Sequence, residues 1–387
     1  MSVETQRNPA PAEAVPAPWQ RGPPTPVDGA MTALEAVRKA GLDWEVQKQP
    51  LYTGPDRNVR IKGRFAVCRT DQLDSPDGGQ LGVVGADYTP LQNSEAFSFL
   101  DPVVGEGRAV YHTVGSLDGG RRLWLLSKLP GEIRVVGEDV TEKYLLLANS
   151  HDGTTAVRIL FTPIRVVCRN TLNLALRTGG GLTIRHYPDV KERVDQARRI
   201  LGIVEETYAK AGESFRRMTK VEMTGVRLRE YFGALMPLPA DEEARTKVAA
   251  RHTRLTELFE TGDGNSLPGV RGTLWAAYNA VTQWADRESY SKRQREPLRT
   301  IFFGDAARLK EDAFAEASAI VAAENGIGGG RDCPQLGGLF AGNRDERQIV
   351  VDLGRARAQL QAQPTDPRQG AIWGTSSCGW MPSSRNS

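Results

Sequence analysis

Apolar residues along this chain change their period once. Up to about residue 187 they come in short runs: "NVRIKGRFAVCR" (58–69), "LGVVG" (81–85), "AVYHTVGS" (109–116), "RRLWLLSKL" (121–129), "KYLLLANS" (143–150) and "TTAVRILF" (154–161). Runs of this length and composition, bounded by turn residues, predict strands. "LDGG" separates the third run from the fourth and "HDG" separates the last two. Asp–Gly tolerates positive φ, so each predicts a β-hairpin. "DSPDGG" (74–79) predicts another turn.

From Val190 the spacing becomes three and four. Val190, Val194, Ala197, Leu201, Val204, Tyr208, Ala211, Phe215 and Met218 define the apolar stripe of one long amphipathic helix. "EARTKVAARHTRLTELFE" (243–260) and "GTLWAAYNAVTQWADRES" (272–289) predict two more, the latter with Trp275, Tyr278, Val281 and Trp284 largely on one face. Shorter helices are expected in 31–46, with Leu34, Val37 and Leu42 as its apolar positions, and after Asn93 or Ser94, either of which can cap a helix.

The expected fold class is therefore α+β: an antiparallel, hairpin-rich sheet half followed by a long-helix half. Residues 1–29 carry seven prolines and few large apolar side chains, and are expected to be a disordered tail. The β-rich half takes 30–187 and the helical half 188–322. Residues 323–387, rich in Gly, Arg, Gln and Ser, are expected to be a low-complexity and mostly disordered tail.

Composition removes several function classes. No apolar run approaches the roughly 20 residues that span a bilayer, and the N-terminus lacks the apolar core of a secretory signal. No membrane association is expected, and the cytoplasm is the expected location. The four cysteines, Cys68, Cys168, Cys333 and Cys378, form no C-x-x-C pair. Neither H-E-x-x-H nor a Walker A motif nor a G-x-S-x-G elbow is present. No metal, no cofactor and no catalytic residue is expected. Net charge is only +3, but 39 of the 50 basic residues are arginine. Arginine suits bidentate phosphate contacts, although a GC-rich genome produces the same bias.

The chemistry gathers at "RVVCRNTLNLAL" (165–176), where a strand is expected to run into a helix. In a regular strand Ile164, Val166 and Cys168 share one face, and Arg165, Val167 and Arg169 share the other. Cys168 is then a small buried side chain. Asn170 or Thr171 caps the helix that follows, and two arginines beside a helix N-terminus make an anion corner. From residue 141 to 187, Lys143, Arg158, Arg165, Arg169, Arg177 and Arg185 face only Glu142 and Asp152, a net +4. The hairpin before it adds Arg121, Arg122 and Lys128, with Trp124 among the cations at the parity of Arg122 and Lys128. Cations interleaved with an aromatic are typical of single-strand binding surfaces. A half-buried strand with solvated charges is the plainer reading of that hairpin taken alone, and at the 165–176 corner plain capping accounts for the residues as well as anion binding does. In "NSHDG" (149–153), His151 and Asp152 could serve as base or metal ligands, but the position between two strands favours a turn.

"LGVVGADYTPLQNSEAFSFLD", "GSLDGGRRLWLLSKLPG", "YLLLANSHDGTTAVRILFTPIRVVCRNTLNLAL" and "GTLWAAYNAVTQWADRES" resemble the phage/plasmid-like protein family, domain of unknown function 932, in the same order from about Gly41 to Ala317. The resemblance implies a mobile-element origin and supplies no activity. The succession strand, helix, two hairpins, long helix is also similar to phage single-strand annealing proteins of the Red-beta and Erf type. Those bind DNA in a basic groove without catalysis and assemble into rings or helices.

The expected function is thus a non-catalytic DNA-binding accessory of recombination or single-strand annealing, taking single-stranded DNA ahead of double-stranded and forming a homo-oligomer. Arg165, Arg169, Arg158 and Lys143 would neutralise phosphates, with Arg121, Arg122 and Lys128 as a second row and Trp124 stacking on a base. The long helix and the Trp275/Trp284 face would hold subunits or halves together. One alternative is a metal-dependent nucleotide or nucleic-acid processing enzyme using His151 and Asp152. Another is a protein-interaction module acting on a host factor through 188–322.

Overall fold

Two leucine-rich runs, Leu123–Leu126 and Leu145–Leu147, have no polar alternation because both of their faces are covered. In the computed structural model, which describes residues 25–27, 31–153, 158–172, 182–183, 190–290 and 296–324, they are the central strands of a seven-stranded antiparallel sheet.

The elements in chain order begin with β1 (Thr25–Pro26), α1 (Ala33–Lys39), β2 (Val46–Thr53), β3 (Val59–Arg69), β4 (Gln80–Gly85), α2 (Asn93–Phe97) and α3 (Asp101–Gly105). Then come β5 (Val110–Leu117), β6 (Arg122–Val136), β7 (Asp139–Ser150), β8 (Arg158–Phe161), β9 (Ile164–Arg165) and β10 (Leu182–Thr183). The helical half comprises α4 (Val190–Met218), α5 (Gly225–Leu235), α6 (Glu242–Thr261), α7 (Leu274–Arg287), α8 (Pro297–Phe303) and α9 (Asp305–Glu324). The large sheet runs β1-β5-β6-β7-β8-β10, with β9 also on β7, and β2-β3-β4 form a separate three-stranded sheet. The arrangement is α+β. No helix among the described residues is long and apolar enough to cross a membrane.

Both expected hairpins of the large sheet are present. The β5–β6 turn uses positive φ at Asp118, Gly119 and Gly120. The β7–β8 pair runs from Leu145↔Phe161 to Ala148↔Arg158. The Pro-rich N-terminal segment reaches the sheet at its end: Thr25 pairs with Val114, Pro26 with Thr113, and Val27 is fully buried. Leu34 of α1 points outward while Val37 is buried. The cap of α2 is Gln92, one residue earlier than expected, with Glu95 reaching back to its N–H. The rest of the expected N-terminal and C-terminal tails lies outside the described residues.

Side-chain parity assigns the two faces of the large sheet. Leu123, Leu125, Leu145 and Leu147 join the main core with α4, whose buried stripe runs from Ala197 through Val204 and Tyr208 to Met218. Trp124, Leu126, Tyr144 and Leu146 join a second cluster capped by Leu298, Ile301 and Phe302 of α8. α7 is buried nearly all round: Trp275 packs on Phe215 of α4 at 4.6 Å between ring centroids. The face holding Trp275 and the half-buried Trp284 is therefore used inside the chain, joining its helices to its sheet.

Candidate nucleic-acid interface

The corner at Arg165 is a clasp, not a phosphate site. Its strand is only two residues long; a turn follows over 166–168, and Arg169 adopts φ 54°. The alternation that placed Arg165 and Arg169 on one open face is broken, and Ile164 and Arg165 are both fully buried. All five guanidinium N–H groups of Arg165 are used. Nε donates to Asp139 Oδ1 at 2.8 Å and Nη2 to Asp139 Oδ2 at 2.7 Å. Nη1 donates to the Asp263 carbonyl and Asn265 Oδ1, and Nη2 also to the Gly264 carbonyl. Trp275 Nε1 donates to the same Asp139 carboxylate at 2.7 Å. No donor is left for a phosphate.

The neighbours share that fate. Thr171 is engaged inside the fold: it bridges to Ile164, and its N–H and hydroxyl donate to Asp286. Buried Lys310 donates to Asp286 Oδ1 at 2.7 Å, to Thr171 Oγ1 and to the Ile301 carbonyl. Burial pushes its ammonium pKa down, and Asp286 opposes the shift. Asn170 is buried, and neither of its side-chain polar atoms has a partner among the described residues. The expected helix from Thr171 to Arg177 lies outside the described residues beyond Leu172, as do Arg177 and Arg185. Cys168 is buried as expected, and burial pushes its thiol pKa up.

The second row is dispersed or internal. Trp124 is 1% exposed, held between Gly115 of β5 and Phe302 of α8, so it stacks on no base. Lys128 and Arg169 both pair with Glu142, at 2.6 and 3.6 Å. Arg122 lies over the Phe303 ring at 5.1 Å. Arg121 in the β5–β6 turn and Arg158 at the start of β8 are exposed, and Lys143 of β7 is half-buried.

"NSHDG" holds the two sheets together. His151 is fully buried, its Nε2 2.7 Å from Asn93 Oδ1 and its ring tilted against Trp44. Burial lowers its pKa to about 4, against the pull of Asp152. Asp152 accepts from Ser150 Oγ at 2.9 Å, and its backbone presses on Gly82 of β4. Among the described residues no three His, Cys, Asp or Glu side chains converge as a metal site.

Unpaired cations gather instead on the β2–β3 hairpin, which the sequence reading passed over. Every residue from Tyr52 to Arg64 is exposed, on both strands. Gly54 and Arg57 take positive φ in the connecting turn, closed by Arg57 N–H on the Gly54 carbonyl at 3.1 Å. Tyr52 pairs with Arg60 and Thr53 with Val59, but the next rung is Pro50 with Phe65. Ile61, Lys62, Gly63 and Arg64 therefore bulge opposite Leu51, with Gly63 supplying φ 70°. Arg57, Arg60, Lys62 and Arg64 make no ion pair with any described residue. Lys48 and Arg60 lie over the Phe65 ring at the hairpin's base, and Gln92 pins its root by bonding both backbone groups of Val46. Residues 46–69 carry six basic side chains against Asp56, a net +5, denser than the +4 of 141–187.

A family model, Domain of unknown function (DUF932), matches residues 80–310. This chain belongs to the DUF932 family. The DUF932 match takes in β4, strands β5 to β10 of the large sheet and the helices from α2 as far as the first turn of α9, while β1, α1 and the β2–β3 hairpin precede it. The Arg165–Asp139 and Lys310–Asp286 clasps both fall inside the DUF932 span. No curated protein and no solved structure matches the chain.

Proposed function

We propose that this chain is a non-catalytic DNA-binding protein of a phage or plasmid, an accessory to recombination or single-strand annealing, and that the β2–β3 hairpin is its contact with the DNA backbone. One observation carries the reading: four cations, Arg57, Arg60, Lys62 and Arg64, stand exposed on one short hairpin without an ion pair to any described residue, beside a single acid, Asp56. Cations left unpaired at a protein surface cost little there and release counterions when a polyanion binds. The mobile-element setting rests on the family resemblance, and the annealing role on the order of elements, which is an analogy of fold.

Fluorescence anisotropy of labelled oligonucleotides, titrated against salt, tests it. Replacing Arg57, Arg60, Lys62 and Arg64 by Ala should weaken binding on all sequences and reduce the salt slope by about three. Arg165→Ala, corrected for any unfolding, should leave the slope unchanged. An intact protein that binds no DNA at about 50 mM salt ends the reading.

A further inference from the structure

The same hairpin carries apolar surface that phosphate binding does not use. Tyr52 is 50% exposed, Val59 56% and Ile61 38%, and Tyr52 is the most exposed Phe, Trp or Tyr side chain among the described residues. The other large aromatics of the β-rich half are committed elsewhere: Trp124 to α8, Trp44 to Arg69 and His151, Phe65 to Lys48 and Arg60. Tyr52 faces Arg60 directly across the ladder, and Val59 follows Arg60's rung toward the turn. An aromatic ring thus sits open to solvent opposite an exposed guanidinium that makes no ion pair with any described residue.

A base in a duplex offers its edges and phosphates, while its two faces are occupied by its neighbours. An unpaired base offers a free face, and stacking on an aromatic is sequence-tolerant because every base has one. A phosphate-only contact would give Tyr52, Val59 and Ile61 nothing to bury against. Intercalation into a duplex would first have to unstack a base step.

We infer that Tyr52 is a base-stacking residue that makes the hairpin select single-stranded over double-stranded DNA, with Arg57, Arg60, Lys62 and Arg64 holding the backbone on either side. The inference rests on the DNA reading above. The cations set the salt dependence without setting strand preference.

Anisotropy with a labelled oligo-dT and with a duplex of equal length separates the two claims. Tyr52→Ala should weaken oligo-dT binding about tenfold, change duplex binding by less than about twofold, and leave both salt slopes intact. Tyr52→Phe should retain the preference, since the ring and not the hydroxyl stacks. Equal losses on both DNAs, or no loss on oligo-dT, would overturn the role of Tyr52 while leaving the cationic site standing. Binding of neither DNA by the intact protein removes both claims together. Sedimentation without DNA supplies the remaining arm. A homo-oligomer that Tyr52→Ala dissociates would make the hairpin a contact between two copies, and the inference fails. Tyr52 is exposed, so an unchanged melting temperature is expected for both variants.

Discussion

Arg165 and Asp139 form a fully buried, two-pronged ion pair between β9 and the first residue of β7, and Trp275 of the helical half bonds the same carboxylate. The loop between α6 and α7 closes over the guanidinium through Asp263, Gly264 and Asn265. One cation therefore fixes three pieces of chain that are remote in sequence.

Removing one partner strands the other charge in the core. Asp139→Ala should destabilise by about 3–5 kcal/mol, read as a fall in the urea midpoint. Asp139→Leu with Arg165→Met should lose less than either single replacement, because no charge is then left buried without a counter-charge. A single replacement that costs nothing measurable would show the pair to be unimportant for folding.

Lys310 and Asp286 make the second buried pair, shared with Thr171. Lys310→Met leaves the Asp286 carboxylate, among the described residues, with only Thr171's donors and should cost about 3–5 kcal/mol. Adding Asp286→Asn removes the stranded charge while its side-chain oxygen still accepts from Thr171. A double-mutant cycle should return a coupling of about 1–3 kcal/mol; additive losses would mean that the two groups do not sense each other.

Periodicity and turn chemistry made most of this fold legible. The stripe from Ala197 to Met218 and the Asp118–Gly120 turn are local signals, and both formed as expected. Trp124 was misplaced on a DNA-facing surface although "RLWLL" has no polar alternation, the pattern of a strand covered on both faces. Arg165 was not legible. Its partner Asp139 lies 26 residues away and its carbonyl acceptors about a hundred, and no local pattern reports such pairs. The two-residue strand and the left-handed Arg169 then invalidated an argument that needed a regular ladder. The hairpin was visible as charge density over 46–69, but exposure was not, because its apolar residues read as those of an ordinary half-buried strand.

His151 gives the folded chain a predictable response to acid. Buried against Trp44 and Asn93, it has a pKa lowered to about 4, with Asp152 alongside and Arg69 stacked on the far partner Trp44. The unfolded chain takes up a proton near pH 6.5 and the folded one does not, so the unfolded state binds more protons between the two values. Stability contributed by neutral His151 is full above about pH 6.5 and falls as pH drops toward 4, by about 3 kcal/mol in all. In chemical denaturation between pH 7 and pH 4, His151→Gln should start less stable and show a shallower decline. Parallel declines for the two proteins would place the acid sensitivity elsewhere.

Asp56 is the one acid among the hairpin's cations, and it lies in the turn between Gly54 and Arg57. Its carboxylate offsets part of the field that draws a phosphate backbone, without pairing to any described cation. Asp56→Asn keeps a turn-forming side-chain oxygen and removes the charge. It should tighten binding of single strands and duplexes alike, by a few-fold at low salt, with the gain fading as ionic strength rises and the Debye length falls below about 8 Å. The strand preference set by Tyr52 should stay where it was, because a charge added to the field favours every polyanion equally. Tighter binding that is confined to single strands would mean that Asp56 acts on the stacked base, and no change at all would move the backbone contact off this hairpin.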